Sequence, residues 1–171
     1  PSEENTGIVF KRIDKFENNL IQAKYNFVSN TIMCTKLSNE FNLSVSTVEH
    51  LMAAFIGFGV DNALVEVDCS ELPILDGSSS KYIQAFKKIG VKYLESHKKI
   101  VNVLRKVSII ENDRFITIEP YDKLKINLEI QHDCKLINTQ SFSFELLDGA
   151  FEKSLMNART YGFKEHASML M

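Results

Sequence analysis

An acidic residue and a histidine stand side by side at Glu49 and His50, near the start of a stretch whose pattern predicts an α-helix. A carboxylate can act as a general base, and an imidazole can bind a metal ion or carry a proton. Both also have plain structural uses, because Glu49 can cap the first helical turn and a buried His50 can bond a carbonyl. The pair alone does not make a catalytic zinc site, which needs three protein ligands.

The helix that must position this pair carries its own sequence signals. Ser46, followed three residues later by Glu49, predicts a capping box at the helix start. An apolar stripe at helical spacing is expected to enter a core, at Val48, Leu51, Met52 and Phe55. The opposite face is small rather than charged, so we expect a second packing partner there, against His50, Ala53, Ala54 and Gly57.

Six short motifs follow one another along the chain. In order they are NTG at 5–7, TIMCT at 31–35, TVEHL at 47–51, GVDN at 59–62, PILDGS at 73–78 and ARTYGF at 158–163. Together they closely resemble the zinc-dependent UDP-3-O-acyl-N-acetylglucosamine deacetylases of lipid A synthesis. The resemblance covers nearly all of the 171 residues.

The resemblance implies a cofactor, a substrate and individual roles. It implies Zn2+ with His50 as one ligand, Glu49 as the general base for attack on the amide, and Thr160 as a donor to the developing oxyanion. The substrate would be the UDP-linked acylated glucosamine. The residues implied to bind it are Ile32, Met33, Cys34 and Tyr161. Read without the resemblance, Met33 and Cys34 are ordinary core residues.

The chain also departs from the family's pattern. Relatives place further zinc ligands in an HKxxDxxGD motif, take a general-acid histidine from a later segment, and carry a preceding β-rich segment. None of these has a match here, so we expect a partial copy whose 171-residue span alone is inactive. Tyr161 replaces a usual Phe, His166 replaces an acidic residue, and His132-Asp133 replaces a His-Pro pair.

Other polar residues are interpreted as structural. Asp68 and Glu71 could be metal ligands, but acidic residues at a strand end commonly cap it. Asp76 fits a turn or a helix cap better than chemistry. The adjacent residues of the stretch 132–134 cannot easily close a tetrahedral metal site, and His97 is expected to be exposed.

Alternating apolar and polar residues predict the strands, and helical spacing predicts two further helices. The predicted strands lie near 23–27, 31–37, 63–69, 100–110, 115–119, 124–130 and 142–144, and the helices at 78–89 and 149–157. The first of these helices has an apolar stripe at Tyr82, Ile83, Phe86 and Ile89 and is expected to end at Gly90. Asn112-Asp113 predicts a hairpin-like turn. Strands followed by a helix occur twice, which predicts an α+β fold of duplicated two-layer sandwiches, with the second domain incomplete. A polar, lysine-rich stretch predicts a boundary between domains 1–97 and 98–171.

Composition limits the partners and the compartment. A net charge of -2 and a pI of about 6.1 argue against nucleic acid. Three widely spaced cysteines indicate a reducing compartment, and the chain has neither a transmembrane run nor an N-terminal signal pattern, so we expect the bacterial cytoplasm and no stable membrane insertion. The lysines between 87 and 106 leave open a peripheral contact with an anionic membrane or a nucleotide diphosphate, although a solvated linker fits them better. The sequence does not determine the oligomeric state.

Two alternative functions belong to other classes. The chain could be a non-catalytic module that binds a sugar nucleotide, an acyl chain or a protein. It could also be a hydrolase with Cys34 or Cys134 as its nucleophile, which would need an activating histidine and a strand-to-helix elbow that the sequence does not indicate.

Overall fold

A computed structural model of the chain describes residues 2–134 and 136–162. The described residues form an α+β fold, as predicted, and add a short 3-10 helix at Tyr25–Phe27. The strands are β1 (Ile8–Arg12), β2 (Leu20–Gln22), β3 (Val28–Asn30), β4 (Lys36–Ser38), β5 (Ser44–Val45), β6 (Ala63–Val67), β7 (Val107–Glu111), β8 (Arg114–Ile118), β9 (Lys125–Gln131) and β10 (Thr139–Glu145). The α-helices are α1 (Glu49–Phe58), α2 (Ser80–Ile89) and α3 (Ala150–Ser154).

Backbone contacts divide the chain into two compact units. The first unit holds the described part of 1–98 and 151–171, and the second holds the described part of 99–150. The domain limits 1–97 and 98–171 stay a prediction. Among the described residues, no helix has the length and apolarity that crossing a bilayer needs.

The first unit contains two small sheets. In one sheet β1 lies between β2, which is antiparallel to it, and β6, which is parallel to it. The other sheet is antiparallel in the order β3, β4, β5. Along β6 the predicted alternation is confirmed, because Val67 is buried and Val65 half-buried while Glu66 is exposed. The core residues are Phe10, Ile21, Leu37, Val45, Val48, Leu51, Phe55, Val67 and Leu72.

The two longer helices follow their predicted apolar stripes. The stripe of α1 enters the core, and Met52 packs against that core from a half-buried position. In α2 the side chain of Ile83 is fully buried, and Phe86 stacks on Phe55 with ring centroids 5.1 Å apart. The prediction that Ile89 shares this buried face is wrong, because Ile89 is exposed at the helix end.

Two predicted strands of the first unit do not form as expected. Around 23–27 the chain makes the 3-10 turn, in which the Phe27 N–H bonds the Lys24 carbonyl at 3.0 Å. Within 31–37 only β4 is a strand, and 31–35 is a loop. The Asn30 side chain accepts a hydrogen bond from the Ile32 N–H at 2.7 Å, and this Asx turn ends β3.

The second unit consists mainly of two antiparallel hairpins. β7 pairs with β8 across the predicted turn at Asn112, which has a φ of 54°, and β9 pairs with β10. Most side chains of these strands are exposed, while Phe144 is buried. The predicted strand over 100–110 begins only at Val107, and the predicted helix over 149–157 is the shorter α3.

Candidate functional site

Glu49 is the first residue of α1, but it does not form the predicted capping box. The residue that precedes the helix is Val48, and it provides no side-chain cap. Ser46 instead lies in a parallel bridge with Glu71, and its N–H bonds the Ser70 carbonyl at 2.9 Å. The box prediction is wrong because this tertiary pairing takes the backbone of Ser46. The Glu49 carboxylate is therefore directed elsewhere.

The carboxylate of Glu49 binds the TIMCT loop. Its Oε2 accepts a hydrogen bond from the backbone N–H of Thr35 at 3.0 Å. In return, the Thr35 carbonyl accepts a bond from the Val48 N–H at 3.4 Å. This reciprocal pair joins the loop to the start of α1 and fixes one carboxylate oxygen. The sequence could not identify Thr35 as the partner, because the donor is a backbone group.

The residues of this loop that are implied to bind substrate directly precede Thr35, the partner of Glu49. Ile32 and Met33 are 76% and 59% exposed, so they are not core residues. Cys34, next to Thr35, is half-buried and is a free thiol. Two exposed apolar side chains in the loop that binds Glu49 suit an apolar ligand, while their role in binding stays a prediction.

His50 is half-buried on α1, directly after Glu49. Its backbone carbonyl accepts a hydrogen bond from Ser79 Oγ at 3.1 Å, at the start of α2. Within 2–134 and 136–162 its imidazole makes no hydrogen bond or ion pair, so the alternative of an imidazole bonded to a carbonyl does not apply there. The bond from Ser79 links His50 to the PILDGS turn.

The small face of α1 has the packing partner that its sequence predicts. The buried side chain of Phe151 lies against Gly57, and a Cβ at Gly57 would overlap the Phe151 ring. An ion pair between Lys87 and Glu152 holds the same segment against α2. These contacts place the chain that leads to Thr160 in the first unit.

The backbone of Thr160 contacts the PILDGS turn. Its backbone N–H bonds the Gly77 carbonyl at 2.8 Å, and its side chain is exposed. In the neighbouring residue, Arg159 Nη2 lies 3.9 Å from Asp76 Oδ2. Hydrogen bonds from Ser78 lower the pKa of Asp76, and the nearby Arg159 contributes in the same direction. Asp76 therefore organises the turn that carries the Thr160 segment.

Tyr161 follows Thr160 and is 58% exposed. The resemblance implies that its ring lies beside the sugar, and this stays a prediction. The end of the ARTYGF motif at Phe163 and the substituted residue His166 lie outside the described residues.

No group of three His, Cys, Asp or Glu side chains in the described part of the chain could hold a metal ion. Glu71, which could have been a ligand, accepts a hydrogen bond from Thr47 Oγ1 at 2.7 Å. The described residues therefore do not complete a zinc site around His50.

Several of the lysines between 87 and 106 are paired with carboxylates. In addition to the pair formed by Lys87, Lys98 Nζ lies 2.7 Å from Asp61 Oδ1, and Lys106 Nζ lies 3.3 Å from Glu119 Oε2. These are exposed pairs, as a solvated lysine-rich stretch would show.

The family model described as UDP-3-O-acyl N-acetylglycosamine deacetylase matches residues 1–171. Curated relatives named UDP-3-O-acyl-N-acetylglucosamine deacetylase are 36% identical in Idiomarina loihiensis, 34% in Colwellia psychrerythraea and 36% in Shewanella frigidimarina. These matches cover 99%, 99% and 95% of this chain, and 56%, 56% and 54% of the relatives. The chain spans about half the length of these relatives, and it belongs to the UDP-3-O-acyl N-acetylglycosamine deacetylase family.

Proposed function

We propose that the protein acts in the hydrolysis of UDP-3-O-acyl-N-acetylglucosamine, with release of acetate, as a zinc-dependent enzyme of lipid A synthesis in the bacterial cytoplasm. The observation that carries the proposal is the contact between Glu49 and the TIMCT loop. Family membership supports it, because the relatives are named for this deacetylase activity. A chain of about half the relatives' length contributes part of the proposed active site.

The proposal assigns Glu49 as the general base. Its Oε2 is held by the Thr35 N–H at 3.0 Å. A carboxylate with one oxygen fixed can take a proton at the other without first reorienting, as base catalysis requires. Glu49 would take the proton from the water that attacks the acetamide carbonyl.

His50 is assigned as one zinc ligand, although the described residues do not complete a zinc site. The bond from Ser79 to the His50 carbonyl ties this part of α1 to the PILDGS turn. The proposed zinc site therefore depends on ligands beyond the described residues.

The remaining assigned residues would bind or stabilise the reacting groups. Thr160 would donate from its hydroxyl to the oxyanion, and its backbone bond to Gly77 would hold it in place. Tyr161 would contact the sugar. The exposed side chains of Ile32 and Met33, with Cys34, would contact the acyl chain.

The finer fold prediction also remains a proposal. Both units contain antiparallel strand pairs. The first unit also contains α1 and α2, and the second unit ends at Ala150, the first residue of α3. This is compatible with a duplicated two-layer sandwich whose second domain is incomplete, and an experimental structure of the intact protein would test it.

The experiment is to measure zinc content and acetate release with UDP-3-O-acyl-N-acetylglucosamine for the intact protein, meaning the complete gene product that carries these 171 residues. Glu49→Gln should keep zinc and lower kcat by about 100- to 10,000-fold, because it removes the base. His50→Ala should lose both zinc and turnover. Matched controls are Glu66→Gln and His97→Ala, whose side chains are exposed in the same unit.

Each outcome bears on a different part of the proposal. Unchanged turnover in Glu49→Gln would remove Glu49 from the mechanism. An unmodified protein that binds the substrate but releases no acetate would overturn the deacetylase proposal and favour the non-catalytic binding module.

A further inference from the structure

Three residues near the candidate site have left-handed backbone conformations that their side chains disfavour. Among residues 2–134 and 136–162, a positive φ at a residue other than Gly or Asn occurs at Met33 (63°), Thr47 (60°) and Leu75 (53°). Each lies two positions before a residue that forms a site contact, namely Thr35, Glu49 and Gly77. Such strain persists only where surrounding contacts hold it, and it concentrates at functional sites.

Of the three residues, Thr47 is the one for which the left-handed conformation is least favourable. Thr47 is β-branched, and a β-branched residue in the left-handed region is a true outlier. Only 5% of its surface is exposed. Its Oγ1 donates a hydrogen bond to Glu71 Oε1 at 2.7 Å. This bond satisfies the buried hydroxyl and holds the residue in its strained conformation.

The backbone on both sides of Glu71 supports the same turn. The Ser46 N–H bonds the Ser70 carbonyl at 2.9 Å, and the Leu72 N–H bonds the Ser46 carbonyl at 3.1 Å. Ser46 is therefore anchored directly before Thr47. The left-handed turn at Thr47 then leads into α1 with Glu49 bonded to Thr35.

We propose that Thr47 and Glu71 are positioning residues for Glu49: their side-chain hydrogen bond holds the left-handed turn that directs the Glu49 carboxylate to the Thr35 N–H. Glu71 acts through Thr47. This inference rests on the proposed function only for its effect on turnover, since the geometry itself can be measured without substrate.

The first test is amide hydrogen exchange at Thr35 in the intact protein. In Thr47→Val, which keeps the shape and removes the hydroxyl, exchange at Thr35 should rise to the rate measured in Glu49→Ala. Glu71→Ala should give the same result, and because Glu71 is exposed this variant removes no packed core side chain. Thr47→Ser and Glu71→Gln keep a donor and an acceptor, and they should restore protection.

Matched controls separate a local effect from general destabilisation. Thr117→Val removes a threonine hydroxyl that is hydrogen-bonded to Ser108 at 2.8 Å in the other unit, and Glu66→Ala removes an exposed carboxylate paired with Lys11. Neither should change exchange at Thr35. Unchanged exchange at Thr35 in both Thr47→Val and Glu71→Ala would overturn the proposal. An equal rise at the core amide of Phe10 would also overturn it, because the pair would then support the fold as a whole.

The second test is turnover. Thr47→Val should lower kcat by about 10- to 100-fold with little change in KM, because the base is displaced while the substrate contacts stay in place. Thr47→Ser should recover most of this loss. If the unmodified protein releases no acetate, the proposed function fails, while exchange at Thr35 still decides whether Thr47 and Glu71 position Glu49.

Discussion

The backbone N–H of Thr35 donates a hydrogen bond to Glu49 Oε2 at 3.0 Å, across the junction between a loop and the first turn of α1. The reverse bond, from the Val48 N–H to the Thr35 carbonyl, makes the contact reciprocal. In the described part of the chain, the other carboxylate oxygen of Glu49 has no hydrogen-bond partner. One oxygen is therefore structural, and the other is available for chemistry.

This division predicts different stabilities for two variants of Glu49. Glu49→Gln keeps an oxygen that can accept from Thr35, so its free energy of unfolding should change little. Glu49→Ala removes the acceptor and should lower the free energy of unfolding by about 1 kcal/mol. Urea denaturation of both variants measures the difference, and equal losses would show that the contact with Thr35 does not stabilise the protein.

The close approach of Gly57 and Phe151 predicts an unusual helix substitution. Alanine is the better helix former, yet Gly57→Ala should lower the free energy of unfolding by about 1 to 3 kcal/mol, because its Cβ would overlap the Phe151 ring. Thermal or urea unfolding measures the loss.

The control for this prediction is the double variant Gly57→Ala with Phe151→Ala. If the overlap causes the loss, the two changes should be non-additive, and the double variant should lose less than the sum of the single ones. Additive losses would mean that the two residues do not act through their contact.

Local patterns predicted much of the fold. The apolar stripe of α1 enters the core, and the end of α2 at Gly90 also follows its sequence signal. The hairpin turn at Asn112 was predicted from the turn residues alone. These features depend on residues that are close together in the chain, which is why periodicity and turn chemistry identify them.

The features that the sequence missed depend on distant residues. The capping box failed because Ser46 pairs with Glu71, and the strand over 31–37 failed because the Asn30 side chain turns the chain. The packing partner of the small face of α1 was expected, but Phe151 could not be identified without the tertiary structure. The sequence predicted that Glu49 and His50 lie at the start of α1, while the backbone bond that orients Glu49 was not predicted.

The lowered pKa of Asp76 predicts how stability depends on pH at the PILDGS turn. Its ordinary value is 3.8, and hydrogen bonds from Ser78 lower it in the folded protein. A carboxyl with a lowered pKa stabilises the fold fully above its unfolded value, and this contribution is lost as the pH falls through the folded value. Asp76→Asn should therefore destabilise the protein at pH 7 and have a smaller effect in strong acid.

Urea unfolding of the unmodified protein and of Asp76→Asn, from pH 7 to below pH 3.8, measures this dependence. Asp133→Asn is a suitable control, because Asp133 is exposed in the other unit. A difference between the unmodified protein and Asp76→Asn that stays constant across this range would contradict the prediction.

The buried guanidinium of Arg12 predicts a clear difference between arginine and lysine. Its Nε and Nη2 donate to the two carboxylate oxygens of Asp14, each at 2.7 Å, and its Nη1 donates to the Ser44 carbonyl at 2.7 Å. Lysine cannot reproduce this fork, so Arg12→Lys should lower the free energy of unfolding by about 2 kcal/mol. Urea denaturation measures the loss, and Arg114→Lys, at an exposed position, should change it little. A similar small effect at both positions would show that charge alone matters at Arg12.

The single imidazole of His50 predicts weak metal binding by the 171-residue chain. A catalytic zinc needs three protein ligands, and no group of three suitable side chains occurs among residues 2–134 and 136–162. After incubation with zinc and gel filtration, elemental analysis should therefore find less than one zinc per chain, with no change in His97→Ala. One retained zinc that is lost in His50→Ala would contradict this prediction. It would mean that residues of this chain outside the described ranges complete the site, and acetate release by the 171-residue chain would then become the expected result.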